Sequence, residues 1–204
     1  MNDINEALRL VPPKSAAAKV LTALRPLWSR DHLLVGIDGC CGSGKTTLAR
    51  TLAGLLSAPV VHMDDFYTPH ARKTPERLSR PGGNADTERF LEEVLTPYIK
   101  THHTVYRPYD CFRDCLSDPV ELPDSHLVII EGSYCLHPSL GQPYDLRFFL
   151  RIPPEAQQER ILRRNGAEKL KVFLNRWIPL EEAYFSAFSL PDKDCITIGE
   201  DELL

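Results

Sequence analysis

One octapeptide limits what this chain can fold into more than any other feature. Gly39 to Thr46 reads GCCGSGKT and fits G-x-x-x-x-G-K-[ST] without a mismatch. It lies between a short apolar run, LLVGID at 33–38, and a segment of helical periodicity, KTTLARTLAGLLS at 45–57. Glycines let the backbone curl so that successive N–H groups point inward. The helix starting near Gly44 adds its positive end to the same hollow. A polyphosphate is the natural guest of such a loop. Gly39, Cys40, Cys41, Gly42, Ser43, Gly44, Lys45, Thr46 and Thr47 are therefore expected to bind a nucleotide's phosphates, through a motif that kinases share with GTPases and ATP-driven machines. Lys45 reaches the β- and γ-phosphates, and the Thr46 hydroxyl binds Mg²⁺. Lys45 is read as an exposed side chain that contributes little to packing. Cys40 and Cys41 occupy free positions of the motif and take no chemical role.

The rest of the chain supplies a scaffold of matching kind. Apolar strands are expected at 33–38, 59–63, 126–132, 144–152 and 194–199. Helices are expected at 15–29, 45–57, 85–99 and 153–166, the last continuing past Gly166. An extended arm is expected at 104–110, and 68–85, rich in Pro, Gly and Arg, reads as an exposed loop. Strands alternating with helices imply an α/β fold, a mainly parallel sheet with helices on both faces. The 204 residues suit one domain that folds without disulfides. The formal charge, 24 − 28 = −4, disfavours general nucleic-acid binding. No apolar run is long enough to cross a bilayer, and MNDINEALRL lacks the apolar centre of a signal peptide. Six cysteines then read as reduced thiols of a cytoplasmic protein. Cys111 and Cys115 have no second pair at zinc-like spacing. The expected partner is a small molecule, not nucleic acid or membrane, with homo-oligomerisation left open.

Three further segments narrow the chemistry. The second strand ends in HMDDFY at 62–67, which sets paired acids at the carboxyl end of a strand, where ligands bind in such sheets. VIIEGSY at 128–134 places Glu131 at the end of another buried strand, where a carboxylate can bind Mg²⁺. Residues 147–171 hold seven Lys/Arg and three Asp/Glu, a local balance of 7 − 3 = +4. Arg160, Arg163 and Arg164 share one helix, at spacings that make Arg160 a neighbour of both others. Such a cluster can close over phosphates as charge moves between oxygens; the alternative is a solvated helix face. Gly166 behind it completes a short Arg-rich lid at about 158–171.

The combination GIDGCCGSGKTTLA, MDDFY, RPYD, VIIEGSY and RILRR resembles the uridine kinase-like family of P-loop small-molecule kinases. That family is similar in turn to phosphoribulokinase, pantothenate kinase and nicotinamide riboside kinase. The likeness spans most of 33–199; residues 1–30 form a helical extension outside it. It implies a P-loop NTPase fold with a five-stranded parallel core and an ATP:nucleoside 5′-hydroxyl phosphotransferase. It maps the catalytic base, also close to the metal, onto Asp64, and the acid near Mg²⁺ onto Glu131. The family's ribose contact maps onto Asp86 of NAD (84–86), though Thr87-Glu88 follow where His-Pro is usual. Its base contact maps onto Tyr109 of RPYDC, with Cys111 replacing Phe and with Arg113 and Asp114 where a pyrimidine-reading histidine is usual.

The function read from this sequence is transfer of a phosphoryl group to a hydroxyl of a small molecule. A uridine- or cytidine-like nucleoside leads, and pantothenate, a riboside vitamin or a sugar are alternatives. A non-catalytic nucleotide-binding module is the reading from another class, and intact Lys45, Thr46, Asp64 and Glu131 speak against it. No N-K-x-D guanine reader is present. Trp28 and Trp177 are read as core or interface residues. Either Phe66 or Tyr67 could pack a nucleoside ring, and Tyr67 is carried as a substrate residue. His62 is read as structural. Arg72, Lys73, Arg77 and Arg80 either help to hold product or only solubilise their loop.

Overall fold

A computed structural model describes residues 3–203; Met1, Asn2 and Leu204, and with them the first two positions of the 1–30 extension, lie outside the described residues. The extension forms α1 (Ile4–Arg9) and α2 (Ala16–Leu24). Asp3 and Ser15 cap them, accepting from the amides of Asn5 and Ala18. Ile4, Ala7, Val20, Leu21 and Leu24 are buried, so both helices are part of the core. β1 (Leu33–Gly39) is buried at every residue, as a strand covered on both faces should be. α3 (Lys45–Leu56) follows the glycine-rich loop. β2 (Val60–His62) then runs into one 3₁₀ turn, Met63–Phe66.

Residues 68–85 are exposed at 70–72, 74–76 and 79–80, as their composition suggests, but they are more ordered than a plain loop. They contain a turn at His70–Arg72 and the short helix α4 (Pro75–Leu78), and Thr68, Asn84 and Ala85 are buried. Arg77 organises the segment. It donates to the carbonyls of Gly83 and Ala85, each at 3.1 Å, and to both carboxylate oxygens of Glu88 at 3.1 and 2.6 Å. One guanidinium with five N–H donors satisfies carbonyls that would otherwise need water.

α5 (Thr87–Phe90), a π turn at Leu91–Leu95 and α6 (Thr96–Thr101) make one helix, close to the expected 85–99. Pro97 cannot donate to the Glu93 carbonyl, and the Thr104 hydroxyl takes that carbonyl instead at 2.5 Å. β3 (Thr104–Tyr106), β4 (Tyr109–Asp110), β5 (Cys115–Leu116) and β6 (Val120–Leu122) pair antiparallel, β3 with β6 and β4 with β5. β7 (Leu127–Glu131) and β8 (Leu146–Leu150) return to the main sheet. α7 (Pro154–Asn165), α8 (Ala167–Val172), a π turn at Phe173–Trp177, α9 (Ile178–Ala187) and β9 (Cys195–Ile198) complete the chain, with a 3₁₀ turn at Glu200–Glu202.

The central sheet has five parallel strands in the order β2-β7-β1-β8-β9. Leu33, Val35 and Ile37 of β1 face a core shared with α1, α2 and α3, while Leu34 faces the opposite layer, with Phe90, Tyr98 and Tyr184. Gly39 closes β1 against β8. Its φ is +137°, and a Cβ there would stand 2.1 Å from the Leu150 carbonyl oxygen, so no other residue fits. Among the described residues no helix is long and apolar enough to cross a membrane, and the six cysteines are free.

Candidate active site

The loop after β1 is held from inside by its own lysine. Lys45 is 8% exposed, against the exposed side chain that the motif suggests. Its Nζ donates to the carbonyls of Gly39 at 2.7 Å and Cys40 at 3.1 Å, and to Ser133 Oγ at 3.3 Å. Burial alone would lower this ammonium's pKa, but Glu181 and Asp38 outweigh it and hold the group above its usual range. Asp38 is fully buried beneath the loop. It accepts from the Gly39 amide at 2.7 Å, the Leu136 amide at 3.1 Å and the Tyr184 hydroxyl at 2.8 Å. Burial pushes its carboxyl up to about 6, while Lys45 and these donors pull the other way. Glu181 accepts from the Cys41 amide at 2.8 Å and from the Ser133 hydroxyl at 2.6 Å. Gln157 of α7 donates to the Cys41 carbonyl at 2.9 Å, so α7 and α9 bracket the loop. Burial pushes both motif thiols up, which keeps Cys40 and Cys41 protonated and inert.

Beside the loop stand the acids. Thr46 Oγ1 donates to Glu131 at 3.1 Å, and His62 Nδ1 lies 2.5 Å from the same oxygen, a contact that raises the His62 pKa. Asp64 lies on the 3₁₀ turn after β2, not on the strand, so strand alternation does not decide its direction. It faces the cavity nonetheless, and accepts from the Tyr67 hydroxyl at 3.0 Å. Burial, with Asp64 adjacent, pushes the Tyr67 phenol well above its usual range. Asp65 points inward: burial raises its carboxyl, and the Tyr106 hydroxyl lies against it.

The donor set suits nucleotide and metal together. Ser43 Oγ is buried without a protein partner at the centre of the loop. No group of three or more His, Cys, Asp or Glu able to hold a metal occurs among the described residues. Thr46 and Glu131 offer one hydroxyl and one carboxylate, which fits Mg²⁺ bound partly by substrate phosphates.

These groups share a cavity of about 1300 Å³. Its wall takes in Cys41 to Thr47, Asp64, Tyr67, Glu131 and all three arginines, Arg160, Arg163 and Arg164. Gly39 and Cys40 sit behind the loop and shape it from the strand side. Arg160 is tied down, 3.5 Å from the Ser43 carbonyl and 3.4 Å from Glu200, whereas Arg163 and Arg164 are exposed. Two substrate residues implied by the resemblance are not on this wall. Asp86 is fully buried, capping α5 and paired with Arg72 at 2.7 Å, and Asn84 lines the cavity in its place. The Tyr109 hydroxyl donates to Asp114, and Cys111 reaches the cavity instead. Of the basic loop residues, Arg72 and Arg77 are consumed by Asp86 and Glu88, and Lys73 lines the cavity. Trp177 also lines the cavity, with the Arg176 guanidinium 4.6 Å from its ring centre, so of the two readings its helical setting allows, core or interface, it is not the core one. Phe66 is buried, whereas Tyr67 lines the cavity, as do Tyr134, Phe173 and Trp177.

Sequence reasoning missed Asp38, Ser133, Glu181 and Tyr184. Asp38 left a signal, a charged residue ending an apolar run. Glu181 and Tyr184 lie three apart, on one helix face, but that spacing is common to any helix and names no partner.

No family model matches the chain. The nicotinamide riboside kinase of Saccharomyces cerevisiae is 26% identical over 190 residues, 78% of this chain and 75% of that protein. The nicotinamide riboside kinase of Eremothecium gossypii is 42% identical over 173 residues, 71% of this chain and 69% of that one. Uridine-cytidine kinase C of Dictyostelium discoideum is 26% identical over 133 residues, 64% of this chain and 29% of that protein. A solved structure described as a possible uridine kinase from Bacillus stearothermophilus has a TM-score of 0.69 at 21% identity, covering 89% of this chain and 96% of its own. At that identity the likeness shows the fold.

Proposed function

Because this chain belongs to the uridine kinase-like family of P-loop small-molecule kinases, together with the nicotinamide riboside kinases it resembles, we propose that it moves the γ-phosphoryl group of ATP to the 5′-hydroxyl of a riboside. One observation carries the reading: Lys45, the Thr46–Glu131 pair and Asp64 meet on one cavity wall. The loop amides and Ser43 hold the phosphates. A phosphate oxygen taking the Cys41 amide displaces the like-charged Glu181 carboxylate, and Lys45 exchanges neutral carbonyls for an anionic partner, a stronger hydrogen bond. Thr46 and Glu131 would hold Mg²⁺, which would supply positive charge against the phosphates. Asp64, oriented by Tyr67, accepts the proton of the attacking hydroxyl. Arg163 and Arg164, the two exposed arginines, of which Arg164 donates only to the adjacent Asn165 side chain at 2.7 Å, supply positive charge as the phosphoryl group crosses.

A pyridine riboside is the second reading. The relatives named for nicotinamide riboside favour it, as does Tyr109, which is turned from the cavity. ADP release with ATP–Mg²⁺ tests both, using uridine, cytidine, nicotinamide riboside, pantothenate and fructose as acceptors. Turnover with a riboside is expected. Turnover confined to pantothenate or fructose would remove the riboside reading and leave phosphoryl transfer standing. No ADP release with any acceptor would favour a non-catalytic binder.

A further inference from the structure

The resemblance leaves the N-terminal extension without a role, and the structure brings part of it to the cavity. Val11, Pro12 and Ser15, from the link between α1 and α2, line the same wall as the phosphate loop. Glu200, Glu202 and Leu203, at the other end of the chain, line it beside them. We infer that this corner is the seat of the donor's nucleoside, so that the extension helps to choose which nucleoside triphosphate the enzyme uses. The inference rests on the phosphate-binding reading of the loop and adds to it the part that reads the base.

Polarity of the loop sets where the donor's two ends go. A loop of this type cradles the α- and β-phosphates, and its lysine reaches toward the γ-phosphate. The transferring end therefore faces Asp64 and Glu131, on the wing that also holds Tyr67 and Cys111. The nucleoside must leave the cradle by the other wing, past Thr47 and then Thr51, one turn further along α3. That wing ends in the corner just described. Leu203 stands beside the loop, its Cδ2 3.9 Å from where a Cβ on Gly44 would lie.

The corner is chemically suited to a flat aromatic base. Val11 and Leu203 are half-buried apolar side chains packed against the core. Arg160 brings a planar guanidinium to the same place, held there by Ser43 and Glu200. The corner is also rigid before any ligand arrives. Ser15 both donates to the Pro12 carbonyl at 2.8 Å and caps α2. Lys19 pairs with Glu202 at 2.8 Å, and Glu202 accepts from the Gly199 amide at 2.9 Å, so α2 grips the C-terminal turn. Ile4 and Ala7 of α1 are buried against Leu48 and Leu52 of α3, which fixes the extension to the helix that starts at the cradle. Preorganised walls bind with less ordering cost.

Calorimetry on the full chain separates this seat from the cradle. ADP and inorganic tripolyphosphate are the probes, and Val11→Asn and Leu203→Ala are the variants. Neither side chain is fully buried, and thermal melts confirm folding of each. ADP should bind about tenfold more weakly to either variant, while tripolyphosphate should change by less than about twofold. Unchanged ADP affinity in both variants overturns the inference. Equal losses for ADP and tripolyphosphate also overturn it, because the effect would then run through the cradle. If tripolyphosphate does not bind the wild type, the phosphate-binding reading fails and takes this inference with it.

Discussion

Lys45 serves fold and chemistry together. Its ammonium is the cation between two buried carboxylates, Asp38 and Glu181, and removing one partner from such a cluster leaves charge without compensation. Lys45→Ala should therefore abolish turnover and also lower the unfolding free energy by about 3–5 kcal/mol, read from urea melts. A melt unchanged from wild type would restore the exposed lysine that the motif alone suggests. Asp64 and Asp65 make a sharper pair. Only Asp64 meets the cavity, so Asp64→Asn should lower kcat about 10²–10⁴-fold with little change in ATP affinity. Asp65→Asn, whose side chain faces Tyr106, should cost less activity. Single-turnover kinetics on both variants decide the order, and a milder Asp64→Asn reverses the assignment.

Helices α7 to α9 form the element that links arginines to loop. Gln157, Arg160, Glu181 and Tyr184 all reach the loop or the strand beneath it. The proximal part of α7 is therefore held, and movement should begin past Arg160, where Gly166 ends the helix at φ +81°. Hydrogen exchange over 158–171 should slow when ATP–Mg²⁺ and acceptor are both bound, most at Arg163 to Gly166. Equal protection in the free and bound protein would count against a lid. The helix and its end were legible in the sequence, because Pro at the start and Gly at the stop act locally. The grip of α9 on the loop was not, since nothing near Glu181 in sequence names Cys41, 140 positions away, as its partner.

At the scale of the whole molecule, the buried carboxyl of Asp38 ties stability to pH. Its folded value of about 6 lies above its usual 3.8. Between these values the folded protein keeps a proton that the unfolded chain has released. The contribution is therefore complete below about pH 4 and is lost as pH rises through about 6, the reverse of a salt-bridged carboxylate. Two pH units correspond to about 3 kcal/mol. The stability of the wild type relative to Asp38→Asn should fall by about that amount from pH 4 to pH 7 in denaturant melts. A difference that stays flat with pH would mean that the three donors around Asp38 cancel the effect of burial.

The sequence by itself determined the phosphate loop, the parallel α/β sheet and the strand-end acid Glu131. Each is a local pattern: glycine at fixed spacing, period-matched apolar runs, and acids that close them. Neither the local patterns nor the resemblance supplied side-chain directions that depend on distant partners. Asp86 turns to Arg72 and Tyr109 to Asp114, away from the cavity, while Trp177 turns into it. The Arg77 network likewise folds up a segment that composition marks as loop. Only the tertiary structure decided that residues 11–15 and 200–203, at opposite ends of the chain, stand together beside the loop. Backbone period is set by near neighbours, whereas a cavity wall is set by which elements pack side by side, and packing is specified by the whole chain at once.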